Sequence, residues 1–91
     1  MASEWKFAQT NPSQRLALVH QFSVTNKAGI EFLITVKEFV SPPDPAMTFL
    51  AQTDKQTNQN TAPFLPSGWG KTLLEALSDC MRAIERFPYE A

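Results

Sequence analysis

The sequence is organised around the stretch GWGKTLLEALSDCMRAIERF, residues 68–87. Gly68 and Gly70 on either side of a tryptophan are typical of a tight turn, because glycine adopts backbone angles that other residues avoid. Thr72 and Glu75 have the T-x-x-E spacing of a capping box, in which both side chains bond free amides at a helix start. The stretch therefore predicts a turn followed by a capped helix.

The residues after the cap form a broad apolar stripe at helical spacing. Pro88 disfavours helical backbone at the residue before it, so we expect the helix to end at Phe87 and to span residues 72–87. The stripe consists of Leu73, Leu77, Cys80, Ile84 and Phe87, flanked by Leu74, Ala76 and Met81.

Three segments before this helix have the alternating pattern of half-buried strands. They cover residues 16–25, 30–40 and, after the proline-rich segment 41–45, the shorter run 47–52. The loop 26–29 ends in Gly29, which can take positive φ, and predicts a hairpin. In the second strand we expect Ile30, Phe32, Ile34 and Val36 to face inward. One face of the first strand carries Leu18, His20, Phe22 and Val24, and one face of the third carries Met47, Phe49 and Ala51.

The two remaining segments have weaker signals. Residues 1–15 suit a short edge strand or an arm laid over the core, and residues 53–71 predict a long loop without clear secondary structure. Its first part, TDKQTNQNT, has no apolar residue and is expected to be solvated. Together the segments predict one α+β domain over residues 1–91: a two-layer, three- to four-stranded antiparallel sheet (β-β-β-α) with the helix packed across it.

Composition limits the classes of function. The chain has 91 residues and a net charge of −1, with no run of one sign, whereas nucleic-acid binders usually have a basic footprint. No run approaches the ~18 apolar residues of a membrane span. The N-terminus lacks the apolar region of a signal peptide, and a single cysteine fits a reducing compartment. We expect a cytoplasmic protein without membrane association.

The run Gly70-Lys71-Thr72 invites comparison with a phosphate-binding P-loop. That motif needs a glycine five positions before Gly70, where this chain has Leu65. Nucleotide hydrolysis is therefore not expected. Lys71 and the free amides of the helix start could still hold an anion, but the favoured interpretation is that Gly70 only makes the turn and Lys71 is solvated.

No residues suggest an enzyme or a metal site. His20 is the only histidine and Cys80 the only cysteine, so the usual zinc ligand sets are not available. Cys80 lies on the apolar stripe and is expected to be a buried small apolar residue. No pair of carboxylates stands out as acid and base. We expect no enzymatic activity, no metal and no cofactor.

The candidate contact residues are aromatic, apolar or charged side chains without an assigned packing role. Trp69 is a binding anchor if it is exposed; if it is buried, which we favour, it packs beneath the helix start or over the sheet edge. Leu33 and Phe39 fall on the outward face of the second strand, which suggests that the N-terminal arm, a partner or a second copy covers that face. The full set is Trp69, Lys71, Phe64, Leu65, Asp54, Lys55, Leu33 and Phe39.

The run GKTLLEAL, residues 70–77, resembles the G-x-T-x-x-E-A-L turn and helix start of HicB-like antitoxins. It is also similar to small phage and plasmid proteins that have a double-stranded-RNA-binding-like sheet and helix. The resemblance implies a β-β-β-α arrangement. It also implies a protein-binding role, because in the HicB-like family this domain binds and blocks a small RNase toxin.

These observations favour a small non-enzymatic protein that binds another protein, as an inhibitor, an antitoxin-like regulator or an accessory factor. In size and composition it resembles phage-encoded inhibitors of host defence systems. The partner is expected to be a protein, with a homodimer as a further option. The alternative is a nucleic-acid-binding module that uses the sheet face or the helix start, with phosphate contacts from Lys37, Lys71, Arg82 and Arg86.

Overall fold

A computed structural model describes residues 4–11, 13–42 and 44–90 of the chain. It contains one antiparallel sheet of four strands and one C-terminal helix, which confirms the predicted α+β class. The order along the chain is a 3-10 turn at Glu4–Ala8, strands β1 (Ala17–Thr25) and β2 (Glu31–Phe39), a second 3-10 turn at Pro45–Met47, strands β3 (Phe49–Thr53) and β4 (Ser67–Gly70), and helix α1 (Leu73–Arg86).

The four strands lie side by side in chain order, each antiparallel to the next. Residues paired across neighbouring strands share a face of the sheet. One such row runs His20–Val36–Ala51–Gly68 and faces α1; we call this side the inner face. Of the expected inward set, Phe32, Ile34 and Val36 are confirmed, because they are fully buried there. Ile30 precedes β2 and is partly buried against the core.

The start of α1 has the predicted capping box. The Glu75 amide donates to Thr72 Oγ1 at 3.1 Å, and Glu75 Oε1 accepts from the amide of Lys71 at 2.8 Å. The Glu75 carboxylate therefore bonds the amide of Lys71, one residue before the Thr72 cap. The helix ends at Arg86, and Phe87 is its C-cap, whose amide donates to the Ala83 carbonyl oxygen at 3.0 Å. The helix predicted over residues 72–87 is thus observed, with Thr72 and Phe87 as its two caps.

The helix packs directly on strand β4. This strand lies within the segment 53–71, which the sequence predicts to be a loop. That prediction is wrong for Ser67–Gly70. A Cβ atom at Gly68 would lie 2.5 Å from the Ala76 carbonyl oxygen, and one at Gly70 would lie 2.5 Å from Glu75 Cβ. A four-residue strand with two glycines has almost no intrinsic strand propensity. It forms because β3 supplies the hydrogen bonds and α1 covers it.

Two other segments also differ from the predictions. Residues 4–8 form a 3-10 turn instead of an edge strand, and residues 1–3 of the same arm lie outside the described residues. Four alternating side chains are too few to fix a strand without a pairing partner. The third strand starts at Phe49 and not at Met47, because Asp44 caps a turn there by accepting from the Ala46 amide at 2.8 Å.

The composition of the polar loop after β3 predicts a freely solvated segment, but the structure shows that the loop is held in place. Thr57 is fully buried, and its backbone exchanges two hydrogen bonds with Phe64, of 2.6 and 2.9 Å. The C-terminal residues hold the tip of the loop: Glu90 Oε1 accepts from the Asn60 amide at 2.8 Å, and the Glu90 amide donates to Gln59 Oε1 at 2.8 Å. Composition could not show these bonds, because the residues that make them lie about 30 positions apart.

The helix covers only part of the sheet. It packs most on β4, less on β3 and least on β2. Strand β1 lies at the far edge of the sheet, where Phe22 and Val24 pack against the margin of the core. The core residues are Phe32, Ile34, Val36, Ala51, Ala76, Cys80 and Ile84. Leu18, on the inner face of β1, stays 37% exposed. No helix in the described part of the chain has the length and hydrophobicity needed to cross a membrane.

Gly68→Ala should lower the free energy of unfolding by about 1–3 kcal/mol, because the new methyl group overlaps the backbone of Ala76 and Cys80 and forces α1 off the sheet. Urea denaturation measures this loss. Ser67→Ala is the matched control, since Ser67 belongs to the same strand but faces away from the helix. Equal stability for the Gly68→Ala variant and the wild type would show that α1 does not rest on β4.

Candidate functional site

The face of the sheet turned away from α1 carries three of the eight candidate contact residues, Leu33, Phe39 and Trp69; we call it the outer face. Strand register assigns its members, because alternate residues of each strand face the same side. They are Ala17, Val19, Gln21, Ser23 and Thr25 of β1, Glu31, Leu33, Thr35, Lys37 and Phe39 of β2, Leu50 and Gln52 of β3, and Ser67 and Trp69 of β4.

We favoured a buried Trp69, packed beneath the helix start or over the sheet edge, but the residue lies on the outer face at an exposed position. It is 39% exposed, and its ring stacks on that of Phe39, with centroids 6.4 Å apart and planes inclined by 26°. The reason lies in its neighbours. Gly68 and Gly70 take the helix-facing positions of β4, so the residue between them must point the other way. Trp69 is therefore a partly exposed side chain held by an aromatic neighbour.

Trp69 belongs to a larger apolar area at one end of the outer face. One row across the sheet runs Val19–Lys37–Leu50–Trp69, and Phe39 adjoins it. We call these five residues the outer patch. Val19 is 54% exposed, whereas Leu50 and Phe39 are partly covered. The exposed ammonium of Lys37 has no carboxylate within salt-bridge distance among residues 4–11, 13–42 and 44–90.

The sequence reasoning missed Val19 and Leu50 as members of this site. Both are ordinary strand residues by composition. The signal that could have found Leu50 is strand alternation: once Phe49 and Ala51 are assigned to the inner face, Leu50 must lie on the outer one.

A second cluster, at the opposite end of the outer face, contains Leu33, Asp54 and Lys55. Asp54 Oδ1 accepts from the Leu33 amide at 3.0 Å, and Lys55 Nζ donates to the Glu31 carbonyl oxygen at 2.7 Å. Desolvation acts to raise the pKa of Asp54, but the Leu33 hydrogen bond and the nearby Lys55 ammonium outweigh it and hold that pKa below its usual value. These charged side chains fasten the end of β3 to β2.

The other candidate residues lie elsewhere. The Phe64 ring packs on Phe87, with centroids 4.6 Å apart, so it stabilises the end of the helix. Leu65 is 38% exposed. At the helix start, the amide of Lys71 already donates to the Glu75 carboxylate. An incoming anion would have to displace that carboxylate, which weakens the idea of an anion site there.

Two further places hold titratable groups: a cluster around Glu38 and the buried Cys80 thiol. His20 Nε2 lies 3.8 Å from a Glu38 carboxylate oxygen, and Lys6 Nζ lies 3.4 Å from the other. Burial, with a smaller effect of Asp79, raises the pKa of the Cys80 thiol to about 11. Within the described ranges, no three His, Cys, Asp or Glu side chains are grouped as metal ligands.

The four cations of the nucleic-acid alternative do not form one surface. Lys37 lies on the outer face of the sheet, whereas Arg82 and Arg86 lie on α1 in the opposite layer. Arg82 is also 3.3 Å from Asp79.

No family model matches the chain, and no curated protein or solved structure matches it either. The likeness to HicB-like antitoxins therefore stays a prediction from residues 70–77.

Asp54→Asn should reduce the dependence of stability on pH below about pH 4. The lowered pKa of Asp54 means that the folded state favours the ionised carboxylate. The carboxylate therefore stabilises the fold above the pKa that Asp54 has in the unfolded chain, and this stabilisation is lost as the pH falls through its pKa in the folded state. The amide oxygen of asparagine can keep the Leu33 hydrogen bond without the charge. Urea denaturation from pH 2 to 6 measures the change, with Asp79→Asn as a control for charge. An unchanged pH profile would contradict this role for Asp54.

Glu90→Ala should speed hydrogen exchange at the Asn60 amide, because the carboxylate that accepts from it is lost. The amides of β4 should keep their wild-type exchange rates. Glu85→Ala, a substitution on the exposed side of α1, is the control. If the Asn60 amide exchanges equally fast in both variants, the C-terminal residues do not hold the loop.

Proposed function

We propose that this protein has no enzymatic role and acts by binding another protein through the outer patch, as an inhibitor, an antitoxin-like regulator or an accessory factor. The observation that carries the proposal is the orientation of Trp69: it faces away from the core and is stacked on Phe39 at a partly exposed position. A tryptophan outside the core contributes modestly to folding, whereas tryptophan is enriched among the residues that dominate binding energies at interfaces.

The stacking supports binding because it fixes the indole before a partner arrives. A side chain that is already ordered loses little rotamer freedom on binding. Phe39 stacks on the Trp69 ring, and Leu50 lies beside Trp69 in the same cross-strand row, so apolar neighbours hold the indole while part of it stays exposed. The patch is thus a preorganised aromatic anchor with aliphatic neighbours.

The chemistry of the surroundings indicates the kind of partner. Lys37 lies between Val19 and Leu50 in the row that ends at Trp69, and it has no acidic neighbour in the described parts of the chain. A partner surface that offers an apolar side chain to Trp69 and a carboxylate to Lys37 would be complementary to both residues. The next row, Gln21–Thr35–Gln52–Ser67, supplies a polar rim of the kind that surrounds the apolar centre of interfaces.

Trp69→Ala should abolish capture of the partner while changing the protein's own stability by only about 1 kcal/mol, the size of one aromatic stacking contact. The measurement is affinity capture from host lysate with quantitative mass spectrometry, in which the wild type identifies the partner. Titration of the purified partner should then show a loss of affinity of roughly 30-fold or more, as expected for an anchor tryptophan.

Met81→Ala is the matched control, because Met81 is 40% exposed, much like Trp69, but lies on α1 beside the groove at Val24. It should capture the partner as the wild type does. Equal capture by the Trp69→Ala variant would contradict the proposal. So would a loss of stability as large as that of a core substitution, since Trp69 would then be a packing residue.

A nucleic-acid-binding module is the second candidate, and one observation favours it. Trp69, Phe39 and Lys37 share one sheet face, as do the stacking aromatics and cations of sheets that bind single strands. The net charge of −1 and the dispersed cations weigh against it. Titration with labelled oligonucleotides tests this candidate. Binding that weakens steeply with salt and is lost in the Trp69→Ala variant would favour it over the first.

A further inference from the structure

Strand β1 has a free edge that no described residue covers. The Val40 amide donates to the Leu16 carbonyl oxygen at 3.2 Å, and the Asn26 amide donates to Ile30 O at 3.0 Å, so positions 16 and 26 are hydrogen-bonded to the neighbouring strand segment. Hydrogen-bonded positions alternate in an antiparallel pair. The even positions of β1 therefore bond to β2. The odd ones direct their amides and carbonyls outward: Ala17, Val19, Gln21, Ser23 and Thr25.

This edge lacks the usual protection against further pairing. All nine residues of β1 are in continuous register with β2, and the strand contains no lysine, proline or bulge. Natural sheets commonly shield their edges with such features. The opposite edge is different, because β4 has only four residues and lies beneath α1. An edge as long and regular as β1 is a template for another extended strand.

We propose that β1 pairs antiparallel with β1 of a second copy of the chain, about a twofold axis at Gln21, to form one continuous eight-stranded sheet. In this register Val19 lies opposite Ser23 of the second copy, and Gln21 lies opposite its own counterpart. Every outward-directed position then meets another outward-directed position, so the whole edge is hydrogen-bonded. The pairing uses the backbone edge of β1 and shares only Val19 with the outer patch. It does not require Trp69, so the inference is independent of the proposed function.

The inner-face side chains of β1 favour a second copy as the occupant. The same register puts Leu18 of one chain opposite Val24 of the other. Val24 lines a groove of about 610 Å³ between the end of the β1–β2 hairpin and α1, together with Met81 and Ile84. Leu18 is 37% exposed at the other end of the strand. Each copy supplies one Leu18 and one groove, so in the twofold dimer Leu18 of each copy fills the groove of the other.

The charges around β1 predict how the self-association depends on salt concentration. No Asp, Glu, Lys or Arg lies within Ala17–Thr25, so no such charges oppose each other along the strand. Arg15 and Lys27 flank it, and antiparallel pairing brings Arg15 of one copy near Lys27 of the other. Salt screens this repulsion, so the self-association should tighten as ionic strength rises. A foreign strand with acidic ends would show the opposite dependence.

Sedimentation velocity over a concentration series tests the pairing with two matched variants. Gln21 and Thr35 are directly opposite each other in the β1–β2 pair and both lie on the outer face. Gln21→Lys puts two like charges face to face at the twofold axis and should raise the dissociation constant about fivefold or more. Thr35→Lys adds the same charge to the same face one strand inward, and should self-associate as the wild type does.

Disulfide formation under mild oxidation tests the register. In the proposed dimer the Cα atoms of the two Gln21 residues lie about 5.5 Å apart, within disulfide reach, so Gln21→Cys should form a covalent dimer. Ser23→Cys should not, because its counterpart lies about 14 Å along the strand. The native Cys80 stays out of this reaction because it is buried.

Four outcomes would overturn the inference: a wild-type monomer at every concentration, self-association that Gln21→Lys does not weaken, weakening by Thr35→Lys instead, or cross-linking of Ser23→Cys as fast as that of Gln21→Cys. Concentration-dependent dimers that tighten with salt, weaken selectively in Gln21→Lys and cross-link selectively through Gln21→Cys are the result that supports it.

Discussion

The structure depends on how closely the backbone of α1 approaches strand β4. This approach is possible only because Gly68 and Gly70 present no side chains to the helix: a Cβ atom at either position would overlap the backbone or Cβ atoms around Glu75 and Ala76. Close contact lets the small residues Ala76 and Cys80 fill the space above the sheet, and both are fully buried. The capping box then fixes where α1 begins, directly after the glycine strand.

The position of the helix explains both surfaces that the protein leaves available. Helix α1 packs mainly on β4 and β3, and its contact with the sheet weakens toward β1. Phe22 and Val24 of β1 still pack against the core, but Leu18 and the backbone edge of the strand stay uncovered. On the other side of the sheet, the glycines that receive the helix force Trp69 outward against Phe39. The same two residues thus fix the fold and orient the candidate binding residue.

Much of the fold could be predicted because strong local signals agreed with the tertiary structure. The T-x-x-E cap, the apolar stripe of α1 and the alternation of β1 and β2 are encoded within a few residues of each other. Strand β4 could not be found in this way, since SGWG has no strand propensity and pairs only because β3 and α1 surround it. The burial of Thr57 likewise depends on residues distant in sequence. For the candidate site, one clue was present in the sequence: two glycines spaced by one residue share a strand face, so the tryptophan between them lies on the other.

The central claim is that Gly68 and Gly70 face the helix while Trp69 faces away from it. A nuclear Overhauser spectrum of the protein in solution tests this most directly. The account predicts cross-peaks from the Gly68 α-protons to the Cys80 amide and from the Gly70 α-protons to the Ala76 amide, together with cross-peaks between the indole of Trp69 and the ring of Phe39. Cross-peaks from the Trp69 indole to Ala76 or Cys80, with none from the two glycines, would contradict it.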